Sequence, residues 1–129
     1  MSDGPLQEWV NAIKSGDPKK VTDLYAKDAI LLGTFSNKER IGHTLILEYF
    51  ENLLKSPVEV QIVSSHHVQQ QSIRIGKDGT EYLYDVARNT GLYNFVTGGK
   101  TINARFTFVY DWENGFKIVS HHSSVMPET

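Results

Sequence analysis

A small set of side chains in this 129-residue chain could do chemistry, and most of them lie in its second half. Arg105 offers a planar fork of donors suited to a carboxylate or another anion. His66-His67 and His121-His122 are adjacent pairs. Successive residues of a strand point to opposite faces, so neither pair can chelate one ion. The chain has no cysteine and no ordered carboxylate set, so neither a metal site nor a cofactor is expected. Asp28, Glu48 and Asp85 are available for acid-base work, yet their spacing brings no two of them together. Ser123-Ser124 lacks the strand-turn-helix elbow that a nucleophilic serine needs. Tyr25, Asn89 and Tyr93 join Arg105 as candidate ligand-binding residues. Thr34 adds a hydroxyl from a loop.

The elements that must carry these residues follow from periodicity. Ala104, Phe106, Phe108, Tyr110 and Trp112 alternate with Arg105, Thr107, Val109 and Asp111, which is a half-buried strand. Asn114-Gly115 favours a tight hairpin turn, and a second strand returns from Phe116 to about Val125. Ahead of this hairpin, Leu6, Trp9, Val10 and Ile13 share one face of a first helix. Asp17-Pro18 is an N-cap and first-turn pair for a second helix carrying Val21, Leu24 and Tyr25. Ala29–Leu32 is expected as a short strand, and a third helix runs from about His43 to Lys55. The pattern then changes to period two: a strand from Val58 toward Val68, a short run from Ser72 to Ile75, and a long strand from Glu81 to Thr97. Helices followed by a strand meander predict a single α+β domain, three helices on a curved antiparallel sheet.

Charge excludes some partners. The net charge is −2 with a pI near 6.2, and Lys19-Lys20 is too short a basic run for nucleic acid. No apolar run approaches a membrane span, and the acidic N-terminus lacks a signal-peptide pattern, so a cytoplasmic location is expected.

SGDPKKVTDLYAKDAILL (15–32), RIGHTLILEYFENLL (40–54) and ARFTFVYDWENGFKIVSHHSS (104–124) resemble the NTF2-like superfamily. More narrowly they resemble the association (hub) domain of calcium/calmodulin-dependent protein kinase II. The resemblance spans nearly the whole chain. It implies a cone-shaped roll of the NTF2-like/cystatin-like kind and a homodimer, or a larger ring of dimers. It also implies arginines in a pocket: the hub's strand arginine aligns with Thr107, two residues along the same face from Arg105, and His122 matches a histidine of the last strand. The superfamily includes ketosteroid isomerases and polyketide cyclases, whose chemistry needs an aspartate base and an oxyanion tyrosine. Those positions fall on Gly33 and Trp9, which cannot serve. With Arg105 facing the concavity, the row Phe106, Phe108, Tyr110 and Trp112 would face outward as a sheet-to-sheet interface. The function expected is therefore a homo-oligomerising association domain with a pocket for a small anionic or polar ligand; an enzyme of the isomerase or cyclase type is the alternative.

Overall fold

A computed structural model describes residues 4–111 and 115–127, the side chain of Tyr84 excepted. Three helices, α1 (Gly4–Ser15), α2 (Pro18–Thr22) and α3 (His43–Leu53), pack on one six-stranded sheet. Its strands are β1 (Tyr25–Leu32), β2 (Arg40–Ile41), β3 (Val58–Ile75), β4 (Glu81–Thr97), β5 (Lys100–Asp111) and β6 (Lys117–Val125). The spatial order is β2-β1-β6-β5-β4-β3, antiparallel except where β1 runs parallel to β6. The sheet curls strongly, giving the α+β cone. Among the described residues, no helix is long and apolar enough to cross a membrane.

Local chemistry sets the helix ends. Gly16 takes a φ of 77° just past α1, a conformation that costs glycine little. Asp17 caps α2 by accepting from the Lys19 amide at 3.0 Å. α2 stops at Thr22, so Tyr25 opens β1 and does not extend the helix. Leu6, Trp9 and Ile13 bury one side of α1, and Ile46, Tyr49 and Phe50 bury one side of α3, both against the concave face of the sheet.

The alternation in β5 holds, but its sense is opposite to that expected. Phe106, Phe108 and Tyr110 are buried in the core, while Arg105 is exposed and Thr107 half-buried on the outer face. An inward Arg105 would need a buried counter-charge, whereas the three rings gain by leaving water. The aromatic row is therefore core and not an outward interface; Trp112 lies outside the described residues.

β3 and β4 pair along their whole length, from Val58↔Thr97 to Ile75↔Glu81, with a bulge between Ile62 and Ser64. Gly91 makes that bulge possible. A Cβ there would collide with the Ser64 carbonyl oxygen. Gly91→Ala is expected to cost about 1–3 kcal/mol through the forced shift of β3. Urea unfolding would check this, and an unchanged midpoint would show that the bulge yields freely.

Candidate functional site

The register of the sheet assembles two transverse rows on its outer face. His66 pairs with Thr90, Thr90 with Thr107, and Thr107 with His122. In the next row Ser64 pairs with Leu92, Leu92 with Arg105, and Arg105 with Ser124. Directly opposed cross-strand side chains stand about 5 Å apart, so each row is a continuous contact line. Together they line an open hollow of about 450 Å³. Arg105 sits in it with Nε donating to Ser124 Oγ at 3.1 Å. Among the described residues no carboxylate lies within ion-pair distance of its guanidinium. Thr90 and Thr107 hydroxyls meet at 3.3 Å beside it. One arginine, two imidazoles and several hydroxyls form a donor-rich surface able to receive a planar anion.

The structure thus brings together Arg105, Thr107 and His122 of the expected set, but on the outer face of the sheet. Tyr25, Tyr93 and Asn89 lie on the other side, inside the cone, and all three are fully buried. Ser64 and Thr90 join the hollow without a signal in the sequence, and His66 and Ser124, which the sequence offers only for metal or nucleophile chemistry, join it as polar lining. Their shared face depends on the one-residue bulge in β3, and alternation in a single strand does not reveal it.

Inside the cone runs a directional chain of hydrogen bonds. Trp9 Nε1 donates to the Tyr25 hydroxyl at 3.0 Å, and Tyr25 Oη lies 2.7 Å from His121 Nδ1. On the far side of the ring, Tyr93 Oη lies 3.2 Å from His121 Nε2 and donates to Ser123 Oγ at 2.5 Å. Ser123 Oγ is hydrogen-bonded in turn to Thr34 Oγ1. Tyr93 spends its one hydrogen on Ser123, so His121 must donate from Nε2 and accept Tyr25's hydrogen at Nδ1. Burial, with His122 nearby, pushes the His121 pKa down to about 3 and keeps the ring neutral. Burial raises the phenols of Tyr25 and Tyr93. Phe108 stacks on His121 at 3.8 Å between centroids. Asn89 donates to the Tyr110 hydroxyl at 3.1 Å, and its Oδ1 lies 2.8 Å from His67 Nδ1. Among the described residues, no buried side-chain nitrogen or oxygen lacks a partner.

The remaining candidates disperse. Asp28 is exposed on β1. Glu48 is exposed and bonded to Arg40 at 2.5 Å, and this contact draws its carboxyl below the usual range. Asp85 accepts from Gln69 at 3.2 Å. Gly33 lies against the Tyr49 ring, and Trp9 lies in the ring cluster. Among the described residues, no cluster of three His, Cys, Asp or Glu could hold a metal ion.

Comparison with known proteins places this geometry. The family profile of the calcium/calmodulin dependent protein kinase II association domain matches residues 5–127. A solved association-domain structure from Xanthomonas campestris is 36% identical, with a TM-score of 0.75 over 96% of this chain and 84% of that one. An NTF2-like protein of unknown function from Pseudomonas putida KT2440 shares the fold at 16% identity and a TM-score of 0.68, over 93% of this chain and 80% of that one. A structure assigned as a ketosteroid isomerase, from Parabacteroides distasonis, shares it at 18% and 0.63, over 95% of this chain and 86% of that one. No curated protein matches the chain. With its family profile matched almost end to end on an NTF2-like cone, the chain belongs to the calcium/calmodulin-dependent protein kinase II association domain family.

Proposed function

We propose that this chain is a homo-oligomerising association domain whose protomers hold a small anion in the outer hollow around Arg105. Self-association is supported by membership of an association-domain family. Support for the anion comes from one observation: Arg105 keeps its Nη groups clear of any described carboxylate while Ser124 steadies Nε. A guanidinium without a carboxylate partner, set between two rows of hydroxyls and imidazoles, favours a carboxylate over a cation or an apolar ligand. The ligand-binding residues in this reading are Arg105, Thr107 and His122, with His66, Ser64 and Ser124 around them. The isomerase or cyclase reading finds less support. Among the described residues no Asp or Glu is buried, and burial keeps the one buried imidazole, His121, neutral.

Sedimentation at several concentrations tests the first half; a monomer throughout would overturn it. Thermal unfolding in succinate, against chloride of matched ionic strength, tests the second. Saturation is expected to raise the wild-type Tm by about 5 °C and to leave Arg105→Ala unmoved, with assembly intact. Equal stabilisation of both proteins would remove Arg105 from the binding reading.

A further inference from the structure

β3 is an edge strand of 18 residues, and no strand of the described chain lies on its far side. Edge strands are ordinarily defended by charge, proline or distortion, because their free side is a template for another strand. Between Glu59 and Arg74 this edge carries no Lys, Arg, Asp, Glu or Pro, and its bulge lies toward the body at Ile62–Ser64. The outer part, with the run Gln69-Gln70-Gln71 at its middle, is therefore undefended.

The same segment forms an arm with β4, and one face of that arm leaves Ile73, Ile75 and Leu83 in water beyond the polar pair Gln71 and Asp85. Ile73 opposes Leu83 and Ile75 opposes Glu81, on the face that continues into the core through Ala87. Ile73, Ile75 and Leu83 are 66%, 69% and 60% exposed. A two-stranded ribbon that leaves three large apolar side chains at its tip in water is marginal alone. At the arm's root, on that same face, lies a groove of about 600 Å³ lined by Pro5, Glu8, His67, Gln69, Ala87 and Phe116.

We propose that the β3 edge and the arm face are where two copies of this chain meet, β3 against β3, antiparallel about a two-fold axis at Gln70. This rests on the self-association reading and names its surface. The occupant is a second copy because one register satisfies both features. Pairing about Gln70 sets Ile73 of one copy beside His67 of the other, over the groove at the arm's root. Gln69 then faces Gln71, so uncharged amides oppose one another at the centre, where identical charged strands would repel. The contact is isologous and closes on itself.

The absence of cysteine makes the test direct. Antiparallel partners stand about 4.5–5.5 Å apart between Cα atoms, within the reach of a disulfide. Gln70→Cys is expected to give mostly disulfide-linked dimer under mild oxidation, and Asn37→Cys, in an exposed loop, mostly monomer. A paired variant, Ile73→Asp with Leu83→Asp, should lose one association step in sedimentation with its circular dichroism unchanged. If Gln70→Cys links no faster than Asn37→Cys and the paired variant keeps the wild-type mass, this surface is wrong while self-association stands. A wild-type monomer at every concentration would overturn both.

Discussion

Trp9→Ala is expected to lower the unfolding free energy by about 3–5 kcal/mol, near the upper end of what one substitution can cost. Trp9 is 1% exposed, so truncation deletes a fully buried side chain. Its ring stacks on Tyr93 at 5.7 Å and meets Phe108 and His121 edge-on at 5.1 and 5.3 Å. These partners come from three different strands and cannot all collapse into one void. Tyr25 also loses the Nε1 donor that fixes the direction of the buried chain. Urea unfolding at neutral pH would read the loss. A change below about 1 kcal/mol would mean that the cone refills the space, and that its interior adapts more freely than this packing implies.

The second large effect is on pH. His121 is neutral in the folded protein, with a pKa near 3 against 6.5 for the free side chain. Below about pH 6.5 the unfolded chain takes up a proton that the folded chain refuses. This contribution to stability is therefore complete above pH 6.5 and is lost as pH falls toward 3. The slope approaches about 1.4 kcal/mol per pH unit. Unfolding free energies from pH 7.5 to 4.5 should show this decline. His121→Gln, less stable throughout because the chain from Tyr25 to Tyr93 is broken, should show a shallower one. Parallel profiles for the two proteins would assign the acid sensitivity to other groups.

Both effects concern residues that the sequence marks as apolar or polar without saying how they meet. The amphipathic face of α1, the Asp17 cap and the limits of β4 are legible locally, because each depends on contacts a few residues apart. The sense of β5 is not. Alternation distinguishes two faces, and only the rest of the fold says which is inside. An arginine read as a pocket residue turns the rings outward, although burying it unpaired would cost more than burying them gains. β3 reads as two strands because Gln69–Gln71 interrupts its apolar pattern. On an arm wetted on both sides, polarity says nothing of pairing, and the register with β4 carries the strand through. Tyr25 reads as helical because the parallel partner that draws it into β1 lies far along the chain, at Ile118. The outer hollow needs four strands in register and one bulge, so only its Arg105, Thr107 and His122 are legible in the sequence.

The position of β6 also has a kinetic consequence. It follows every other strand in sequence, yet it stands between β1 and β5 in the sheet. Until it docks, the β1–β2 flank and the β3–β4–β5 meander have no shared hydrogen-bonded edge. The meander can form from contacts close in sequence, whereas β1 must wait for a strand made much later. Synthesis on the ribosome therefore leaves β1 and its helices beside an unfinished sheet until β6 emerges, and that interval is when the nascent chain is most exposed to misassembly or chaperone capture.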